Sequence, residues 1–194
     1  MELRNWLLAE IETHRFQVQL TAGAVPPTRW AERPYAGANP VAWLVWHIAR
    51  WHDIAVNNML RDVAPVFDAT WAERVGVAAA PGTGFDDGDV DELAAAAQPE
   101  ALLTYLDAVL SNTTQWLETV PTDELSALLA AAVDSDARYE ALGDELLPTR
   151  ALWVKDFMRG QHGQFHLRWV AIGHTYYHLG ELCTVTTALG YPVG

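Results

Sequence analysis

The sequence predicts an all-α protein: a four-helix bundle with a long crossover between helices 2 and 3 and short accessory helices. Three observations predict it. Four long segments repeat apolar residues at helical spacing, and no segment alternates apolar and polar residues long enough to argue for a strand. A long stretch containing several Pro and Gly residues separates the second segment from the third. The 194 residues suit one domain spanning 1–194, and a chain of that size buries enough surface to fold without disulfides or a structural metal.

The first helix is expected from about Glu2 to Thr21, with Leu3, Leu7, Ile11, His14 and Val18 on one stripe, and Gly23, Pro26 and Pro27 end it. The second is expected to start at Asn39-Pro40, an N-cap residue followed by proline at the first helical position. It runs to about Arg61 with Val41, Leu44, Ile48, Trp51 and Ala55 on its apolar stripe. The crossover occupies roughly Asp62 to Gln98, where Phe67 and Trp71 should pack on the bundle. Within it, Asp86-Asp87-Gly88-Asp89-Val90-Asp91 lacks the spacing and terminal glutamate of a calcium loop and reads as a solvated lead into a helix. The third long helix is expected from Pro99 to Val120, followed by short helices near Thr122–Val133 and Thr149–Met158. The last spans about Gln164 to Leu189, with Gly190 just past its end as a C-terminal cap.

Composition excludes several functions. Twelve Lys+Arg against 25 Asp+Glu give a net charge of −13, so no basic patch is available for nucleic acid or for an anionic membrane. No uncharged apolar run is long enough for a membrane span, and the charged start is unlike a signal peptide. A cytoplasmic protein acting on a small molecule is the expectation, and exposed tryptophans on a bundle would suit a homodimer. The single cysteine, Cys183, forms no intrachain disulfide or thiolate cage and reads as a buried, inert thiol. Any transition metal must therefore be held by His, Asp or Glu.

Histidine is where the pattern departs from simple packing. His174 and His178 are four apart, about 40° around a helix axis, so their side chains stack on one face. They occupy successive positions of the stripe Leu167, Ala171, His174, His178, Leu182, Val185 and Leu189. Leucine at each position would contribute about 1.5–3 kcal/mol of burial, whereas imidazoles bring polar nitrogens that need partners. A divalent cation satisfies both at once. The alternative is a hydrogen-bonded core pair or a pair at the rim of the bundle. A third donor should come from another helix, and His47 and His52 both lie on the second. They are about 140° apart around its axis, so only one reaches a common site and the other is left as a surface or interface group. Geometry does not choose between them. His14 and the pair His162/His166 are weaker candidates, with solvated or capping roles the simpler assignment.

Three stretches resemble a known family. Asn39-Pro40-Val41-Ala42-Trp43-Leu44-Val45-Trp46-His47-Ile48-Ala49-Arg50 is similar to the second helix of the DinB/YfiT-like superfamily, in particular its actinobacterial branch. Gly173-His174-Thr175-Tyr176-Tyr177-His178-Leu179-Gly180-Glu181 is similar to its last helix, and Pro99 to Val109 to the start of its third. The resemblance implies a four-helix bundle with a long crossover and a metal held by one histidine of helix 2 and an HxxxH pair, here His47, His174 and His178. The stretch from Pro121 to Gly163 departs from the family pattern, being longer and carrying an additional helical piece, which bears on the shape of the pocket mouth.

Three histidines without a carboxylate or thiolate leave open positions on a zinc or nickel ion, as catalytic rather than structural sites do. Some members of the resembled superfamily transfer or isomerise using low-molecular-weight thiols such as mycothiol or bacillithiol, which implies a metal-dependent thiol transferase. The alternatives are a non-catalytic metal- or ligand-binding bundle and a hydrolase using metal-activated water. Glu181, three residues after His178 on the same face, is the candidate to orient a histidine N–H or accept a proton; otherwise it pairs with Arg50 or Arg168. Tyr177 and Trp46 are candidates for the pocket wall.

Overall fold

Every side chain from Val41 to Asp53 is buried, so the second helix is enclosed on all sides rather than along one stripe. Hydrophobic residues all round a helix are the signature of a central position. The computed structural model describes residues 2–193. Four long helical elements form the bundle. They are α1 (Leu3–Gly23), α2 (Val41–Asp53), α5 (Pro99–Thr119) and a composite last helix made of α9 (Gly163–Phe165), a π-helical segment His166–Gly173 and α10 (His174–Ala188). Around the bundle α1 packs on α5, α5 on α2, α2 on α10, and α10 on α1. One continuous cluster of buried apolar side chains fills the space between them.

α2 continues without interruption into its own π-helical segment, Ile54–Leu60, and the two π segments pack on one another. A π turn holds one residue more than an α turn, so the helix beyond it is rotated relative to the helix before it. In the last helix this change of register ends at Gly173, immediately before His174. A stripe counted at uniform α spacing through Leu167, Ala171 and His174 therefore misses the extra residue.

The crossover between α2 and α5 carries two short helices, α3 (Ala69–Val75) and α4 (Asp87–Ala96). Asp68 caps α3 by accepting from the Trp71 backbone N–H. The acidic run at the start of α4 forms a capping box in which Asp86 and Asp89 accept from each other's backbone N–H, satisfying donors that would otherwise be orphaned. After α5 come α6 (Thr122–Ala130), α7 (Ser135–Leu142) and α8 (Trp153–Met158). Helical periodicity does not announce α7, because its short Ser-Asp-Ala-Arg-Tyr-Glu-Ala-Leu carries almost no apolar face. The Cβ of any other residue at Gly163 would collide with the Leu128 carbonyl, so glycine lets the last helix start against α6. Among the described residues no strand forms, and one isolated antiparallel bridge joins Ala132 to His162. No described helix is long and apolar enough to cross a membrane.

Two local expectations need correction. Asn39 does not cap α2: the helix starts at Val41, Pro40 holds the cap position, and no side chain caps it. The Asn39 amide is instead bonded to Glu181. Leu3 is half exposed, so the inward stripe of α1 begins at Leu7.

α2 also carries a buried ionic network that its apolar pattern hides. Asp53 is fully buried; it accepts from the backbone N–H of Val66 and Phe67 at 2.8 and 2.9 Å, from Asn57 Nδ2 at 2.7 Å and from the Tyr105 hydroxyl at 2.6 Å. Burial, then the neighbouring Asp53, holds the Tyr105 phenol well above its ordinary pKa, so it stays protonated and donates. Arg50 lies 3.5 Å from the same carboxylate. The network ties the start of the crossover to the centre of the bundle.

Candidate metal centre

Three imidazoles from two helices meet at one point. Nε2 of His174 lies 3.2 Å from Nε2 of His47 and 3.1 Å from Nε2 of His178. Ligand atoms of the three residues all lie within 4.8 Å of one another. Their partners on the far side of the rings fix which nitrogen carries the proton. His47 Nδ1 is 2.7 Å from the Pro81 carbonyl oxygen, which only accepts, so Nδ1–H donates and Nε2 keeps its lone pair. His178 Nδ1 is 2.9 Å from Glu181 Oε2, with the same consequence. Two lone pairs thus converge on His174 Nε2, which carries at most one proton and satisfies at most one of them.

A divalent cation resolves that conflict. Bonds of about 2.0–2.1 Å meeting at angles near 100° would place nitrogens about 3.1–3.2 Å apart, which is the spacing found for the two pairs that His174 makes. All three side chains line the same cavity. Burial, then the neighbouring His174 and His178, pushes His47 well below its ordinary pKa, against the opposing hydrogen bond to Pro81. Burial, then His178, lowers His174 to about 3. Both rings are therefore neutral at neutral pH, the form that binds metal.

The Glu181 carboxyl is pushed up by burial, but hydrogen bonds from His178 and Asn39 outweigh this and hold it below its ordinary range. Its Oε1 accepts from Asn39 Nδ2 at 2.7 Å, so both carboxylate oxygens are engaged. Neither Arg50 nor Arg168 is its partner: Arg50 faces Asp53. Glu181 sits on the Nδ1 side of His178, and the described cavity lining does not include it.

His47 is held by a strap of the crossover that no motif in the sequence foretells. Successive carbonyls of residues 79, 80 and 81 accept from three side chains of α2: Arg50 Nε at 2.8 Å, Trp46 Nε1 at 2.8 Å and His47 Nδ1 at 2.7 Å. Trp51 Nε1 then donates to Thr83 Oγ1 at 2.8 Å. Gly82 allows the strap to cross Trp43, since it has φ +91° and a Cβ there would stand 2.5 Å from Trp43 Nε1. Trp43 in turn stacks on His47 with ring centroids 4.2 Å apart and planes 16° from parallel. Trp46 is therefore a fully buried anchor of the strap and not a wall of the pocket, whereas Tyr177 does line it.

Three of the four remaining histidines are placed differently from expectation. His52 is not a surface or interface group, because α2 has no exposed face. It is buried with Nε2 3.1 Å from the Thr113 hydroxyl of α5. His14 and His166 are also buried rather than solvated or capping, and neither ring nitrogen of either finds a partner. His162 is exposed, as the simpler assignment has it. Cys183 is half-buried against the core.

These three buried rings give the fold an acid liability. Burial lowers His14 to about 4, His52 to about 3 and His166 to about 4. In the unfolded chain each charges below about pH 6.5, so in that range the unfolded state binds more protons and stability falls as pH falls. The contribution is fully present above pH 6.5 and declines toward pH 4, at about 1.4 kcal/mol per pH unit for each ring. At pH 5 the three together remove about 6 kcal/mol, comparable with the whole stability of an ordinary domain. The near-ultraviolet circular dichroism of chelator-treated protein should therefore collapse between about pH 5.5 and pH 4. A signal unchanged at pH 4 would contradict the assignment.

Comparison with known proteins agrees with this architecture. The crystal structure of a conserved protein from Enterococcus faecalis matches with a TM-score of 0.68 at 18% identity, covering 98% of this chain and 99% of that one. At that identity the likeness concerns the fold. No curated protein matches. The family model of the DinB superfamily matches residues 10–182, a span that includes His47, His174 and His178, and the chain belongs to that superfamily.

Proposed function

We propose that this chain is a metal-dependent enzyme that activates and transfers a low-molecular-weight thiol at the three-histidine site. The observation that carries the reading is the convergence of three imidazoles on the wall of a cavity of about 540 Å³. A purely structural ion is closed by four protein groups and needs no room beside it. Three neutral donors leave the charge of a divalent ion uncompensated, which favours an anionic fourth partner.

When bound, zinc or nickel would lower the pKa of a thiol that ligates it. The chain's own residues position that event. His47, His174 and His178 would hold the cation through Nε2. The Pro81 carbonyl and the Glu181 carboxylate, itself held by Asn39, keep His47 and His178 in the tautomer that presents a lone pair. Glu181 is thus a positioning residue. In the transfer, the S–H proton leaves to solvent, a sulfur–carbon bond forms to the electrophile, and the leaving group departs with its electron pair.

The test is direct. Zinc- or nickel-loaded protein is incubated with mycothiol, bacillithiol or another small thiol and a chromogenic electrophile, beside a chelator-treated control. The expected result is product that requires both the metal and one of the thiols. No rate above the control for any thiol sinks the thiol reading. Turnover of an ester in the absence of thiol would favour metal-activated water instead.

A further inference from the structure

The cavity beside the three histidines has walls of an unusual kind. Among its described lining residues there is no Lys, Arg, Asp or Glu. The inner wall is Trp43, stacked on His47, and Trp51, pinned to Thr83. The outer wall comes from three other places in the chain: Trp153 and Phe157 on α8, Trp169 on the π segment and Tyr177 on α10. These outer rings are 59%, 43%, 53% and 74% exposed. Single exposed apolar residues need no explanation, but a contiguous apolar patch marks a binding site. Here four aromatic side chains converge on one mouth.

Of the polar side chains that line the cavity, Trp43 Nε1 and His174 Nδ1 have no partner, and two others are engaged. Asn39 Nδ2 donates to Glu181, and the Thr83 hydroxyl accepts from Trp51. Away from the histidine end, a ligand carrying carboxylates or phosphates would lose its hydration on these walls without gaining a counter-charge. Flat aromatic faces, by contrast, match a flat apolar ring and add stacking to simple burial. Because the cavity runs inward from the exposed rings to the histidines, the flat face of a second protein molecule would leave it unfilled, whereas a small molecule fills it.

We infer that this cavity binds an uncharged aromatic small molecule, stacked between the inner tryptophans and the rings of α8, α10 and the π segment. In the thiol-transfer reading, on which this role rests, that molecule is the electrophile. Its reacting carbon sits at the histidine end and its ring system lies toward the mouth. The aromatic body supplies the binding, and the histidine end supplies the chemistry.

Two fluorescent probes with the same body isolate the proposal. N-phenyl-1-naphthylamine is neutral; 8-anilinonaphthalene-1-sulfonate adds a single negative charge. Titrations use the full chain after chelator treatment, so that no metal attracts the sulfonate and neither thiol nor turnover enters the measurement. One molecule of the neutral probe should bind per chain, and the sulfonate should bind at least about fivefold more weakly, reflecting its uncompensated charge. The double substitution Trp153→Ala/Phe157→Ala should weaken the neutral probe by about fivefold or more through lost stacking and burial. Tyr177→Ala, on a separate helix, should act in the same direction. All three positions are exposed enough for the fold to tolerate alanine, which an unchanged far-ultraviolet circular dichroism spectrum and thermal midpoint check. Absence of neutral-probe binding, equal affinity for the two probes, or insensitivity to both variants overturns the inference. Those outcomes leave the thiol reading to its own assay, and failure of that assay leaves the probe result standing.

Discussion

Alanine at His178 should abolish stable metal binding: in competition titrations, affinity for zinc or nickel should fall by about 1,000-fold. Apparent binding free energies of zinc at fully liganded sites are about 10–16 kcal/mol, so one of three or four donors carries about 4 kcal/mol. The effect should be graded by distance from the ion. Glu181→Gln keeps the histidine donors but weakens the group that holds His178 in its tautomer, and should cost about 10–100-fold. His52→Ala, on the same helix as His47 but facing Thr113, should leave the metal stoichiometry intact while lowering stability. Equal effects at His178 and His52 would mean that general destabilisation, and not ligation, explains the loss.

The largest stability effect is expected away from the site, at Asp53. Its two oxygens accept four hydrogen bonds and face Arg50 while fully buried. Asp53→Ala leaves two backbone N–H groups, an amide and a phenol without their acceptor, and strands a buried guanidinium. Breaking such a pair from one side costs about 3–5 kcal/mol. Asp53→Asn retains one acceptor oxygen and should cost about half as much by the same reasoning. Chemical denaturation would measure both. A loss below about 1 kcal/mol for the alanine variant would show that the network is dispensable. Because the crossover strap that fixes His47 comes after the segment tied down by Asp53, metal affinity should decline in the alanine variant as well.

Residue spacing records some features of this protein and is blind to others. The HxxxH pair on an apolar stripe announces itself, because imidazoles at positions where leucine would pack demand a partner. The long helices announce themselves too, through periodicity and through Pro99, Gly190 and the breakers after α1. Periodicity does not separate His47 from His52, since α2 is buried all round; the family resemblance does. The π segments leave no trace in a count of every third or fourth residue, although they set the register leading into His174. The Pro81 carbonyl and its neighbours are backbone atoms of a loop, and no residue type advertises them. Asn39 misleads for a physical reason: before a proline it has every feature of an N-cap, yet its amide is bonded to a glutamate 142 positions away. Asp53 does carry a signal in the sequence, a charged residue in the midst of an apolar helix, which burial makes expensive unless something pairs with it.

The central claim is that His47, His174 and His178 hold one ion between them. Crystals grown from protein loaded with zinc, measured on both sides of the zinc absorption edge, decide it. The account predicts a single strong anomalous peak inside the bundle, about 2.0–2.1 Å from each of the three Nε2 atoms, with at least one further position open to the aromatic cavity. A peak elsewhere, or none while the three rings keep their present spacing, would contradict it.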